Sequence, residues 1–505
     1  MGFLDKLKKP QSTPKMSAND NTPKNANKSD EFEKPTSNLE DGADWASALG
    51  LATKADKRSQ QAADVNSYAN AQDQALSSSP ASPVQSKDNR SPKPNKGDRA
   101  ILALDIGTEY VKAVIANLTR TGELEVIGVG RTRQEANNMY AGAIADIPGV
   151  VSVCEKALSQ AEKFAGLTAQ TVVVGIAGEL VKGNTTTIRY RRKNGDKPLT
   201  EQEMSLIIER VQERAGEQAR QEIAAETDNP SVEVRLINSA IVSINIDGYK
   251  ISNPIGFKGT DVVIQFYTAF APLVHISAIE KVCAELSLDL LAVAVEPFAV
   301  CRACLGDEID NAFSGIIMDI GGGTTDLAII NDGGVEGTKM FGIGGRSFTH
   351  QIAEILNVDF DTAEEYKIAI NNPKKVPADL KGKMEYAIQR NLAVWLSGVE
   401  ITLEEFQLPD MLPNRILLCG GGSGLMAIQD VLATTDWFKE LPFTRRPMVH
   451  VVEPSDIPGL KNLTSVRLDH SYITALGLLR VAVDTLSGAP DESGLRAKLA
   501  KLLQS

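Results

Sequence analysis

The chain has 505 residues, 42% of them hydrophobic and 23% charged, with a formal net charge of −12. That is room for two or three domains of a soluble globular protein, and the acidic balance excludes a general nucleic-acid binder, whose footprint is basic. Five cysteines, at 154, 283, 301, 304 and 419, make no disulfide framework and fit a reducing cytoplasm.

Cys301 and Cys304 form a CxxC with no second pair to complete a zinc site, and their apolar, helical surroundings read as buried thiols. The histidines show no metal-ligand spacing. Met1 to Pro10 alternates Lys and Leu, which is not the apolar core of a secretory signal. No apolar run approaches the roughly 20 residues that a membrane-spanning helix needs.

In chain order, Gly2 to Lys9 comes first. Helical spacing puts Phe3, Leu4 and Leu7 on one face, with Lys6, Lys8 and Lys9 on the flanks and back. Residues 11–98 are rich in Ser, Asn, Pro, Lys, Asp and Gln. Such a stretch buries too little surface to offset its ordering entropy and reads as a disordered tail. Inside it, Trp45 to Leu51 is an apolar island, either a docking motif or a chance cluster. The chain's other end repeats the opening pattern. Leu495, Leu499, Leu502 and Leu503 share a face flanked by Arg496, Lys498 and Lys501, a basic amphipathic helix suited to an anionic membrane surface. Two such signals on one chain add; the alternative is a helix docked on its own domain.

The folded body starts at Arg99. Ala100 to Thr108 reads as a buried strand ending in Asp105-Ile106-Gly107-Thr108, followed by strands at 110–116 and 123–130 and a helix at 149–165. Strands are expected at 171–178 and 185–191. Thr200-x-x-Glu203 has capping-box spacing and opens a helix reaching about 225. Strands at 232–236, 241–246 and 261–270, a helix at 272–286, a strand at 290–295 and a helix at 298–305 follow.

Ser314 to Phe341 then repeats the opening theme of strand, glycine turn, strand, turn and strand. Its first turn is Asp319-Ile320-Gly321-Gly322-Gly323-Thr324-Thr325-Asp326. Consecutive glycines let backbone approach a ligand closely and take φ > 0, and successive N–H groups in such a turn form an anion nest. One glycine hairpin is weak evidence. Two, at the heads of similar meanders, imply two related lobes with a cleft between them.

The two hairpins resemble the paired phosphate motifs of the actin-like ATPase superfamily. Three more stretches fit in order: Val295 to Val300 resembles its connecting helix, Ala363-Glu364-Glu365-Tyr366-Lys367 its nucleoside-contacting element, and Ile416 to Leu425 its adenosine motif. Within the superfamily the chain is similar to the bacterial cell-division family FtsA. The carrying residues are Val174 to Gly178, Ile246 to Tyr249, Asn253 to Gly259, Gly344 to Thr349, the helix at 472–479 and the C-terminal amphipathic helix. The long N-terminal extension departs from the family pattern.

The resemblance implies an α/β, actin-like two-lobe ATPase fold with duplicated β-meander/α cores. The first lobe would comprise 99–170 and 272–307, an FtsA-type inserted subdomain 171–271, the second lobe 308–484, and the linker and membrane helix 485–505. ATP would lie between the hairpins, held by backbone N–H groups of Gly107, Thr108 and Gly321, Gly322, Gly323 and Thr324, with Thr325 and Asp326 at the turn's far edge. Asp105 and Asp319 would hold Mg²⁺ through water. Glu296 would position an attacking water; the alternative is a helix-N-terminal carboxylate favoured by the dipole, which would serve a non-hydrolysing protein as well. Glu364 and Lys367 would contact ribose and base, and Gly420, Gly421, Gly422 and Ser423 would pack on adenine. Lys112 either approaches phosphate or faces outward.

The implied role is a membrane-bound, self-associating scaffold for FtsZ filaments and downstream division proteins, in which ATP acts as a switch with slow turnover. The pilus-assembly adaptor PilM, with a similar core, is the alternative. A chaperone or a sugar kinase on the same cleft is a further reading; the chaperone is disfavoured, because it needs a peptide-binding domain after the adenosine motif and only about 80 residues follow Gly424.

Overall fold

A computed structural model describes residues 99–487 except 120–121, 306–312, 372–375 and 407–410. The expectations for residues 1–98, including the Trp45 island, and for the helix at 495–503 lie outside the described residues.

The first lobe opens with β1 (Arg99–Ile106), β2 (Tyr110–Leu118) and β3 (Leu124–Arg133), an antiparallel meander. A small ribbon of β4 (Met139–Tyr140) and β5 (Ala143–Ile144) leads into α1 (Ile147–Ala165), which ends at Gly166 in the left-handed region. β6 (Thr171–Ile176) then pairs in parallel with β1. Its run Val172-Val173-Val174 is buried throughout, as expected of a parallel strand covered on both faces.

After β6 the chain leaves this sheet for β7 (Lys182–Arg191), α2 (Glu201–Thr227), β8 (Val234–Ile246), β9 (Tyr249–Lys250) and β10 (Asp261–Pro272). It returns through α3 (Leu273–Glu285) to β11 (Asp289–Val295), parallel to β6, and continues into α4 (Glu296–Leu305).

The second lobe repeats the plan. β12 (Gly315–Ile320), β13 (Thr325–Asn331) and β14 (Gly334–Phe341) form the meander. Helices α5 (Gly345–Leu356), α6 (Phe360–Ala369) and α7 (Ala378–Glu404) follow. β15 (Arg415–Cys419) pairs in parallel with β12, and beyond a short 3-10 turn at Gly421–Gly424 come α8 (Met426–Thr434) and β16 (Met448–Val451), which is parallel to β15. β17 (Leu460–Asn462) crosses back to pair with β3, and α9 (Ile473–Ser487) packs on α4 and β1 of the first lobe.

The duplication is explicit in the strand orders. One sheet runs β11-β6-β1-β2-β3-β17, and the other runs β16-β15-β12-β13-β14 before continuing through β7-β10-β8-β9. The two halves therefore share the same five-strand sequence of pairings. α4 lies against both, and its Phe298, Val300 and Cys301 join first-sheet residues and Ile317, Ala328 and Ile330 in one core. Ile316, Met318, Phe348 and Trp395 anchor a second core.

The segment between β6 and β11 has its own core, Met204, Ile207, Ile208 and Val211 of α2 against Ile244, Ile264 and Phe266 of the strands. Three details differ from the sequence reading. β6 is a strand of the first sheet, so the chain departs from that lobe only after Ile176. The strands expected at 232–236 and 241–246 are one, β8, because Asn238 and Ser239 between them also pair with β10, in a ladder that shifts register; the Asn238 Oδ1 accepts the Val295 N–H at 2.7 Å. The capping box is half made. Thr200 Oγ1 accepts the Glu203 N–H at 3.2 Å, but the Glu203 carboxylate takes a two-pronged contact from buried Arg192, Nε and Nη2 each at 2.9 Å. Arg192 Nη1 also donates to the carbonyls of Lys197 and Gly259. We expect Arg192→Leu to lower the stability of this segment by about 3 kcal/mol, because four hydrogen bonds go and two carbonyls and a carboxylate lose their donor; urea denaturation measures it.

Candidate functional site

The two meanders present their first turns to each other across a cleft. Asp105 is the penultimate residue of β1, and Asp319 that of β12. Both are buried. A Cβ on Gly322 would lie 2.7 Å from the Cβ of Glu109. Gly322, and less tightly Gly323 against Thr108, are therefore required by apposition of the turns; none of Gly321, Gly322 or Gly323 takes positive φ, contrary to the sequence expectation, whereas Gly420 does at +79°.

Between the turns is a cavity of about 460 Å³. It is lined by Asp105, Gly107, Thr108, Lys112, Glu296, Asp319, Gly321, Gly322, Thr324 and Asp326, by Glu364 and Lys367, and by Gly420, Gly421 and Gly422. Gly323, Thr325 and Ser423 do not line it. Gly323 abuts Thr108. Thr325 points away, its hydroxyl donating to the Ile343 carbonyl and accepting from Trp395 Nε1. Ser423 is buried and closes its own turn on the Gly420 carbonyl at 2.7 Å.

The amides also differ from expectation. Gly107 N–H bonds the Tyr110 carbonyl and Gly321 N–H the Thr324 carbonyl, so these two close their own turns. The turns' other amides are the candidates for an anion.

Lys112 faces inward. It sits across the ladder from Asp105 and its Nζ donates to Asp105 Oδ2 at 2.8 Å. Burial acts to lower the ammonium's pKa, but the Asp105 charge and hydrogen bond, with Asp319 beyond, hold it above the ordinary value. Around this half-buried cation stand three more carboxylates. Burial, then the charges of Asp105, Asp326 and Asp319, push Glu296 well up. Asp319 is raised by burial, against a hydrogen bond from Thr474 Oγ1 and the charge of Lys112. Asp326, across the β12–β13 ladder from Asp319, is pushed up to about 7 by burial and the Asp319 charge, against a hydrogen bond from Thr324.

These acidities have a consequence for stability. Asp326 takes up its proton more readily folded than unfolded, so stability falls as pH rises from the unfolded carboxylate value near 4 through about 7. Asp326→Asn is expected to stabilise the protein more at pH 8 than at pH 5, read as the difference in Tm, with the pH 5 to 8 decline of the parent flattened.

So many buried carboxylates about one lysine call for a cation. Among the described residues no three His, Cys, Asp or Glu side chains converge as a direct ligand set. The donor set fits Mg²⁺, which keeps several waters and takes few carboxylates.

At the other end of the cavity Glu364 and Lys367 pair at 2.8 Å. Lys367 Nζ also donates to the Gly345 carbonyl at 3.0 Å and to Thr349 Oγ1 at 2.9 Å, which fastens α6 to the start of α5. Asn371 donates to the Gly424 carbonyl, bracing the glycine turn.

Several lining residues carry no signal in the local sequence. Thr474, at the start of α9, reaches Asp319 from 155 positions away. Arg131 lies over the Tyr110 ring at 3.7 Å, opposite Lys112 on the next strand. Arg346 approaches Glu109 at 3.5 Å, and Arg133 bonds both Glu109 and Asp361 of α6, so ion pairs join the lobes at the cleft's mouth. All five cysteines are free thiols. Cys301 and Cys304 lie on α4 as expected, the latter pushed up to about 12 by burial, which leaves it inert as a nucleophile.

Two sheets of matching strand order, a helix shared between them and paired glycine turns over one cavity define an actin-like two-lobe fold. A solved PilM–PilN type IV pilus biogenesis complex has the same fold, with a TM-score of 0.54 and 17% identity over 76% of this chain and 98% of that one. The sequence profile described as cell division protein FtsA matches residues 316–477. The cell division protein FtsA of Pseudomonas aeruginosa is 25% identical over 402 residues, 75% of this chain and 88% of that protein. That of Streptococcus pneumoniae is 23% identical over 427 residues, 80% and 88% of the two chains. The chain is a homologue of the cell-division FtsA proteins.

Proposed function

We propose that this chain binds ATP with Mg²⁺ in the cleft, assembles with itself at the cytoplasmic face of the inner membrane at the division site, and tethers FtsZ filaments there. The observation that supports it is the meeting of both hairpins on one cavity that holds the buried carboxylates of Asp105, Asp319 and Asp326 together with half-buried Glu296 and Lys112. Polyphosphate suits the turn amides and Lys112. Asp105 and Asp319 would hold Mg²⁺ through water, and the ion, when bound, neutralises charge on the phosphates. Glu364, Lys367 and the turn Gly420–Gly422 would flank ribose and base.

Glu296 opens α4 inside the cavity, the place for a group that orients a water and accepts its proton. With a cation present its carboxyl ionises more readily, since the neighbouring negative charges are offset. Glu296→Gln is expected to leave ATP affinity within about 3-fold while phosphate release falls by about 100-fold, the lower range for loss of a general base; equilibrium binding and single-turnover release separate the two.

Membrane attachment rests on the basic amphipathic sequence at 495–503. Among the described residues no helix is long and apolar enough to cross a membrane. Deleting 495–505 should release the protein from anionic liposomes, and unchanged co-sedimentation would refute this anchor. Binding of the FtsZ C-terminal peptide, in preference to a peptide from a pilus-assembly membrane protein, is the expected partner result; the reverse preference favours the PilM-like reading.

A further inference from the structure

Glu296 lines two cavities. One is the cleft between the hairpins, and the other is a far smaller space of about 20 Å³. The walls of the small one come from the end of β1, the β4–β5 ribbon, β6 and α3. Its lining is apolar side chains and glycines with two exceptions, Glu296 and His275.

The Glu296 carboxyl rests on β6 at the wall of this space. A Cβ on Gly175, which also lines it, would lie 2.9 Å from Glu296 Oε1. His275 comes to the same space from the first turn of α3. Its Nδ1 is sealed from solvent and, among the described residues, meets no hydrogen-bond partner. A buried ring nitrogen left in that state carries a desolvation penalty that one hydrogen bond removes. Burial also pushes the imidazole below its ordinary value, so at neutral pH the ring is uncharged and one nitrogen accepts. Glu296, pushed up by burial and its acidic neighbours, carries the matching proton when no cation offsets them. A water needs roughly 10–15 Å³ of such space and two to four polar partners. The small cavity supplies both.

We propose that the small cavity is a hydration site for a single water that bridges the Glu296 carboxyl and His275 Nδ1, and that His275 thereby fixes how Glu296 faces the cleft. Glu296 donates to the water, and the water donates to Nδ1. The carboxyl oxygen held in this way is the one on Gly175, which leaves the other for the cleft. The proposal rests on the reading of Glu296 as the acceptor of a proton from an attacking water. It adds His275 as a positioning residue that touches no reactant.

The chain has four histidines, so selective ¹⁵N-histidine labelling of the full chain gives few imidazole signals, and His275→Asn identifies its own. Glu296→Ala is expected to shift the His275 Nδ1 resonance. Glu364→Gln, which changes a carboxyl of the cleft that does not line the small cavity, should leave it in place. A resonance that ignores Glu296→Ala overturns the bridge. In single-turnover phosphate release, His275→Leu should lose about 10-fold, a share of the roughly 100-fold expected of Glu296→Gln, with ATP affinity unchanged and Tm no lower. His275→Asn, whose amide offers a polar atom near the Nδ1 position, should stay within about 3-fold of the parent, because a water-mediated bond tolerates the exchange. On top of Glu296→Gln, His275→Leu should cost nothing more. A further loss there, or a His275→Leu rate equal to the parent's, overturns the positioning role. A shifted resonance with release indifferent to Glu296→Gln upholds the bridge and removes the reading of Glu296 as proton acceptor instead.

Discussion

Replacing Asp319 with alanine is expected to weaken Mg²⁺-dependent ATP binding by at least about 100-fold, close to 3 kcal/mol, while leaving the empty protein as stable as its parent or more so. The two halves have one cause. Asp319 is buried beside Asp105, Asp326 and Glu296, and burial raises its pKa. Holding it ionised at neutral pH costs the fold stability, which the variant recovers. The same charge is what a hydrated Mg²⁺ would meet, and Thr474 remains to donate where no acceptor is left. Isothermal titration with ATP and Mg²⁺, alongside a thermal melt, checks both halves. Affinity retained with Mg²⁺ would mean that the cavity has been misread; lost affinity with a collapsed melt would mean that Asp319 supports the fold rather than a ligand.

Trp395→Ala is expected to cost about 4 kcal/mol, the range for emptying a fully buried aromatic site. Trp395 is the largest of the side chains that are wholly inside the protein, and it underlies the second hairpin from behind, with Nε1 3.0 Å from Thr325 Oγ1. Thr325 in turn donates to the Ile343 carbonyl just before α5. Trp395→Phe keeps most of the volume and loses only the donor, for about 1 kcal/mol. A urea series on the parent and the two variants gives the ratio. Equal losses would place the effect in the hydrogen bond rather than in packing. Because the tryptophan braces the turn and lies outside the cavity lining, ATP affinity measured at a temperature where the alanine variant is still folded should fall only several-fold, in contrast to Asp319→Ala.

The site was legible where the chemistry is written locally. Asp105 and Asp319 each end a short apolar run and precede glycines, so strand, turn and acid could be read together. Their repetition 214 positions apart announced two lobes before any coordinates. What could not be read is whatever depends on distant chain. The pairing of Gly183 with Thr338 leaves no mark on either neighbourhood, so the join between inserted strands and the second sheet was invisible. Thr325 and Ser423 looked like site residues because their neighbours line the cavity; only the direction of the side chain, set by packing against Trp395 and by the turn at Gly420, removes them. Glycine runs were read as demands for unusual dihedrals, yet Gly322 is needed because another loop sits against it. The strands expected at 232–236 and 241–246 are one because the residues between them also pair with β10, a tertiary contact that local composition does not record.

Helix α9 starts where Thr474 holds Asp319 and ends at Ser487 with 18 residues of chain still to come. Fifteen helical residues make a rod of roughly 22 Å. Its hydrogen bonds leave little axial give, and its flank is clamped along α4, where Arg302 grips Asp484 at 2.8 Å. A tilt of a few degrees at the Asp319 end would thereby be delivered, as lever-arm travel, to the root of the basic C-terminal segment. The same bonds work in reverse: traction on that segment meets the Arg302–Asp484 pair first and the Thr474–Asp319 contact beyond it.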